Sequence, residues 1–109
     1  MAEQVQVLSQ TNPSAATLTD SYTVPAVTSA IVSSLFVTNR SATATSFRVS
    51  VAKAGAADDN VQYLYYDIPI QGNDTFASTT GISLETTDVV RVYATLATLT
   101  FNIHGVEIT

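Results

Sequence analysis

The chain has 109 residues, a formal net charge of −5, no cysteine and only 12% charged residues. This length is typical of one domain and leaves no room for two independent cores. The negative charge argues against nucleic-acid binding, which requires lysine and arginine to neutralise phosphates. Without cysteine the chain forms neither disulfides nor thiolate metal sites. A charged fraction well below the roughly 25% of average domains indicates a surface that is cheaply desolvated against another protein.

The N-terminal segment, residues 1–21, is predicted to be an arm or a first strand, followed by a β-sandwich domain over residues 22–109. The segment lacks the basic stretch followed by an apolar core that marks a signal peptide. No apolar run in the chain approaches the roughly 20 residues that cross a bilayer. We therefore expect a soluble protein, made in the cytoplasm, with no membrane partner.

Period-two alternation of apolar and polar residues predicts strands along the chain. The segments "VQVLSQ" and "TLTDSYTV" are the first two. The next, "AIVSSLFVTN", is apolar on both faces, which is typical of a central strand. Strict alternation places Ile31, Leu35 and Val37 on one face of it, and Val32 and Phe36 on the other.

The segment "TSFRVSVA" is predicted to be a half-buried strand. Its alternation places Phe47, Val49 and Val51 in the core and Arg48 and Ser50 outside.

The C-terminal part of the chain predicts two more strands. "DVVRVYA" alternates valines, and "TLTFNIHGVEI" places Leu99, Phe101 and Ile103 together on a core face. Gly105 is expected at a β-bulge that re-aims the residues after it.

Turn signals such as "NRSATA", "KAGAADDN" and "QGND" separate these runs, and no stretch has sustained helical spacing. Seven or eight short strands spaced about 8–12 residues apart predict a single antiparallel β-sandwich, either immunoglobulin-like or a jelly roll. The absence of a Cys…Trp…Cys pattern excludes an antibody-type domain but leaves both topologies open.

Catalytic and metal-binding patterns are sparse. With His104 as the single histidine no two-histidine metal site can form, and no GxSxG-like nucleophile setting exists. Asp58, Asp59 and Asn60 offer oxygen ligands, but their spacing is not that of a calcium loop, and a solvated turn is the favoured interpretation. We expect no catalytic residue, no metal and no cofactor, and hence a protein that is not an enzyme.

The segment "QYLYYDIPI" predicts a strand that carries three of the five tyrosines. Strict alternation puts Tyr63 and Tyr65 on one face and Leu64 and Tyr66 on the other. A nucleic-acid stacking platform would need surrounding positive charge that this segment lacks, and a sugar-stacking patch is the other alternative. We favour a strand with one face in the core and the other against a second protein chain. The candidate interface residues are Tyr63, Tyr65, Tyr66 and Arg40.

Four segments, "YTVPA", "VTNRSATATSFRVSVA", "QYLYYDIPIQGNDTF" and "TTDVVRVYAT", resemble small β-sandwich structural proteins of tailed bacteriophages. The resemblance implies a non-enzymatic virion protein made in the host cytoplasm. Its partners would be the major capsid protein or other virion proteins. A capsid decoration (cement) protein is the first interpretation; a neck, tail or fibre component, including a receptor- or glycan-binding module, is the alternative.

Sandwich edges need a neighbour to cover them, and closed assemblies do so. We therefore expect a homo-oligomer, with a trimer as first choice and the N-terminal arm reaching a neighbour.

Overall fold

The structure is a computed structural model that describes residues 2–109, which form eight β-strands and two single-turn 3-10 helices. The all-β class expected from the alternation is confirmed. No helix within the described residues is long and apolar enough to cross a bilayer. The 3-10 turns, Lys53–Gly55 and Asn60–Gln62, lie between β4 and β5. The strands are β1 (Glu3–Thr11), β2 (Thr19–Thr23), β3 (Ser29–Asn39), β4 (Thr45–Ala52), β5 (Tyr63–Ile70), β6 (Thr75–Leu84), β7 (Val89–Ala94) and β8 (Leu99–Ile108).

Two antiparallel four-stranded sheets pack face to face. Sheet A has the order β1-β8-β3-β6 and sheet B the order β2-β7-β4-β5. The pairs β1–β8, β2–β7, β3–β6 and β4–β5 are those of one long hairpin that has rolled up on itself. This is the pairing of a jelly roll, whereas an immunoglobulin sandwich pairs its first strand with its second. The topology therefore decides between the two sandwich types that the sequence leaves open.

The predicted N-terminal unit is part of this sandwich. Met1 lies outside the described residues, and the boundary expected between residues 21 and 22 falls inside β2. β1 is a full strand of sheet A that pairs with β8.

The core lies between the two sheets. It contains the residues of β4 and β8 that alternation predicts to face inward. Val51 is half-buried at the margin, where it packs against the cluster. The residues that are at most 1% exposed include Phe47, Val49, Leu99, Phe101 and Ile103.

Ser50 is buried, so the expectation that it lies outside with Arg48 is wrong. It lies opposite Arg91 on β7 and Tyr63 on β5. The Arg91 guanidinium donates to the carbonyls of Gly55 and Ala56, at 3.3 and 2.8 Å, which fixes the loop after β4 beside this part of sheet B. Alternation along β4 cannot reveal which neighbouring groups cover a side chain.

A β-bulge at Ser33 changes which side chains of β3 face the core. The register jumps between Val32 and Ser34 against both β8 and β6. Val32 and Leu35 are consequently both buried, while Ile31 and Phe36 are exposed. Strict alternation groups Ile31 with Leu35, which is wrong because one extra residue inverts the phase. β3 is a central strand, as predicted, between β8 and β6.

Gly105 lies opposite two bulges instead of forming one. β8 alternates without interruption, and the extra residues are Leu8 on β1 and Ser33 on β3. A Cβ atom on Gly105 would lie 2.1 Å from the carbonyl oxygen of Ile31 and 2.9 Å from Cδ1 of Leu8. Glycine therefore permits the bulged neighbours to approach β8 closely.

Two candidate interaction surfaces

The first surface, the tyrosine–arginine cluster, consists of Arg48, Tyr63, Tyr66, Asp67 and Tyr93 on the outer side of sheet B. The guanidinium carbon of Arg48 lies 4.2 Å from the ring centre of Tyr66 and 4.5 Å from that of Tyr93. Its Nε donates to Oδ1 of Asp67 at 2.6 Å, and this hydrogen bond raises the pKa of the guanidinium. The guanidinium is attracted to the faces of both rings.

Two bulges in β5 create this cluster. Tyr66 and Asp67 together oppose Arg48, and Asp67 adopts a positive φ of 51°, which aspartate tolerates. A second register shift at Leu64 puts Tyr63 on the outer side as well. The Tyr63 and Tyr66 rings meet edge to face, with centroids 5.1 Å apart. The expectation that Tyr63 shares a face with Tyr65 is therefore wrong.

Tyr65 belongs to the other side of the strand. Its ring packs against Phe47 and Phe76, with centroid distances of 6.5 and 5.4 Å. Its hydroxyl bonds to Oγ of Ser78 at 2.9 Å, across the open side of the sandwich. This candidate interface residue thus joins the two sheets at the core margin.

Arg40, the fourth candidate interface residue, is not brought to the cluster. It follows β3, and its Nη2 donates to Oδ1 of Asn12 at 3.2 Å and to the carbonyl of Ala97 at 3.4 Å. Asn12 also donates to the carbonyl of Leu99, and the N–H of Ala16 donates to that of Ala94. The segment predicted to reach a neighbour is therefore held by this chain's own β7–β8 region.

An open recess adjoins the tyrosines on the outer side of sheet B. It has a volume of about 440 Å³ and is lined by Asn60, Tyr63 and Tyr66. Burial, and to a lesser extent the neighbouring Asp58, raise the pKa of the Tyr63 hydroxyl. The recess offers aromatic faces together with amide and hydroxyl groups, a combination that suits a polyol ligand.

Two of the polar side chains considered for catalysis or metal binding, Asp59 and His104, have contacts within the chain. Oδ1 of Asp59 accepts from the N–H of Val61 at 3.2 Å, as expected for a turn residue. The imidazole of His104 meets the Phe36 ring edge to face, with centroids 5.5 Å apart. Across residues 2–109, no three metal-ligating His, Cys, Asp or Glu side chains cluster.

The second surface, the apolar face, is the outer side of sheet A. Strand register aligns Val5, Val106, Ile31 and Ser83 in one row and Gln10, Asn102, Phe36 and Ala77 in another, with Val7 and His104 between them. The exposed fractions are 83% for Val5, 47% for Val7, 40% for Ile31 and 37% for Phe36. Among the described residues, Glu3 at one corner is the only acidic or basic side chain that the register places here, apart from His104.

Sequence reasoning missed this apolar face. The signal that could have revealed it is in β3, which contains more apolar residues than one face of the strand can place in the core. The bulge at Ser33 was needed to show which of them, Ile31 and Phe36, lie outside.

Comparison with known proteins does not extend these observations. No protein-family model matches the chain, and no curated protein shows significant similarity to it. Jelly rolls occur in viral capsid proteins, lectins and cupins, so the fold alone does not define a function. A functional proposal must rest on the surfaces.

Proposed function

We propose that this protein is a non-enzymatic structural subunit of a tailed-bacteriophage virion, acting as a capsid decoration protein that stabilises the assembled head. The observation that carries the proposal is the apolar face of sheet A, which has almost no charge although the chain as a whole carries −5. The jelly-roll fold, which viral shell proteins use widely, supports it. So does the resemblance of its segments to phage structural proteins.

Covering the apolar face with another protein is energetically favourable. Exposed Val5, Ile31 and Phe36 release water when a protein covers them, and the surrounding Thr and Ser side chains cost little to desolvate. Four strands of nine to eleven residues, spaced about 4.8 Å apart, cover roughly 600 Å². A standard interface buries about 800 Å² per partner, so this face supplies most of one. Its partner in the proposal is the major capsid protein or another virion protein.

Stabilisation of the head follows from linkage. A protein that binds the assembled shell but not the separated subunits shifts the equilibrium towards the shell. The same contacts need no catalytic group, and His104 contributes a ring to the apolar face next to Phe36.

The test compares virions of the encoding phage with and without this protein. We expect hundreds of copies per head, and release of DNA at a lower temperature from heads that lack it. Phe36→Glu should reduce binding to stripped heads by more than about tenfold, because it places a carboxylate in the contact. Val61→Glu is the matched control, since Val61 is 89% exposed but lies on the loop before β5. Equal binding by both variants, or unchanged DNA release, would contradict the proposal.

The alternative is a neck, tail or fibre component that binds a glycan receptor. The recess lined by Asn60, Tyr63 and Tyr66 favours it, because aromatic faces stack on sugar rings. This alternative expects only a handful of copies per virion and a glycan affinity that Tyr66→Ala abolishes.

A further inference from the structure

Strand β6 forms one edge of sheet A and lacks the features that usually protect an edge strand from pairing with another chain. Within residues 2–109 its ladder partner is β3 alone, so one row of its N–H and C=O groups points away from the sheet. Its sequence, "TFASTTGISL", contains no charged residue and no proline. Edge strands normally carry such residues because a bare edge invites pairing with another chain.

The other three edges of the sandwich are protected. β1 carries Glu3 and a bulge, and its hydroxyl side chains bond to Ser21 of the adjacent β2. β2 is only five residues long, contains a register shift and carries Asp20. β5 has two bulges together with Asp67 and Pro69. The contrast identifies β6 as the edge that is left open for pairing.

The first half of β6 has the regular geometry that pairing requires. Thr75–Thr79 align in unbroken register with Ser34–Thr38 of β3. Irregularity begins only beyond this, where Oγ1 of Thr80 donates to the carbonyl of Val32 at 2.9 Å. Small side chains, Ala77 and Thr79, lie on the outer side, so they do not obstruct a neighbouring strand.

We propose that β6 pairs antiparallel with β6 of a second copy of this chain, about a two-fold axis near Ser78. Only an extended strand supplies the alternating donors and acceptors that an edge requires. A two-fold axis at Ser78 sets Ala77 opposite Thr79 of the second copy, a pair without charge or steric conflict. Because the strand is uncharged, no charged side chain of β6 faces the second copy at the contact.

Pairing of two copies through β6 would enlarge the apolar face. Two A sheets become one eight-stranded sheet, and their apolar faces lie side by side. The combined face covers roughly 1,200 Å², which exceeds the 800 Å² per partner of a standard interface. The proposed oligomer is a dimer, whereas the sequence suggests a trimer. The dimer proposal does not require that the protein binds a phage capsid.

The test measures the mass of the purified protein by sedimentation over a range of concentrations. We expect a dimer for the natural chain, and for Thr79→Lys a dissociation constant raised by more than about tenfold, because the two lysines become diagonal neighbours across the contact and repel each other. Thr100→Lys is the control: it adds the same charge to the same outer face, but on the central strand β8. A monomer at every concentration, or a dimer that Thr100→Lys disrupts and Thr79→Lys does not, overturns the proposal.

A second measurement needs no variant. Amide hydrogen exchange of the natural chain is compared at concentrations above and below dimer dissociation. Amides in Thr75–Thr79 that point away from β3 should be protected only in the dimer. Protection of β1 or β5 amides instead, or unchanged exchange in β6, contradicts the assignment of this edge. Loss of virion binding by Phe36→Glu leaves both results unaffected, so the two proposals fail separately.

Discussion

Replacement of Phe101 by alanine is the most direct test of the core. Phe101 is fully buried on β8 and meets the Phe47 ring edge to face, with centroids 6.0 Å apart. Truncation of a buried Phe costs about 3–5 kcal/mol, and the lost ring pair, worth about 0.5–1.5 kcal/mol, favours the upper half of that range. A domain of this size is stable by only about 5–15 kcal/mol, so this loss is a large fraction of the total.

Urea denaturation followed by circular dichroism measures this loss. With a slope of about 1–3 kcal/mol per molar urea, the midpoint should fall by roughly 2 M. Phe36→Ala is the matched control, because the same truncation on the apolar face removes a ring that is 37% exposed and should cost much less. A loss below about 1 kcal/mol for Phe101→Ala, or equal losses for the two variants, would refute the core assignment.

Three further variants test individual contacts. Gly105→Ala should lower the thermal midpoint by at least several degrees, because its Cβ would lie 2.1 Å from the Ile31 carbonyl oxygen; an unchanged midpoint contradicts the close approach. Ser50→Ala should be neutral or stabilising by up to about 1 kcal/mol in urea, because its buried Oγ has no hydrogen-bond partner within residues 2–109; a large loss would reveal one. Burial, and then the hydrogen bond to Glu107, raise the pKa of the Tyr22 hydroxyl above its ordinary value of about 10. Because of this raised pKa, the stabilisation by Tyr22 is complete below pH 10 and declines as the pH rises further. Alkaline titration of unfolding should therefore show a dependence that Tyr22→Phe reduces, and the raised pKa of Tyr63 accounts for part of the remainder.

The sequence predicts the strands and much of the core because both depend on local alternation. Phe47, Val49, Phe101 and Ile103 are buried as expected. β4 and β8 alternate regularly against the core, so period two identifies their inner faces.

Bulges explain most of what the sequence does not predict. Extra residues at Ser33, Leu64 and Tyr66–Asp67 invert the phase within β3 and β5. They expose Ile31 and Phe36 and bring Tyr63 to Tyr66. Their positions depend on the neighbouring strands, as the close contact at Gly105 illustrates, and no local pattern in β3 or β5 specifies them.

The burial of Ser50 has a different cause, since Ser50 lies between Arg91 and Tyr63 of the two neighbouring strands. The four residues predicted to form one interface lie at three different places in the structure. Tyr63 and Tyr66 meet in one cluster, Tyr65 lies at the core margin, and Arg40 binds the β7–β8 region.

The pairing of β1 with β8 has a consequence for biosynthesis. Glu3 lies opposite Ile108, so the first strand made has no partner until the last strand has left the ribosome. Translation proceeds at about 5–20 residues per second, so β1 and β3 wait for seconds with their apolar residues uncovered. Sheet A is therefore complete only after β8 has left the ribosome, and the charge-poor strands are most exposed to aggregation in that interval.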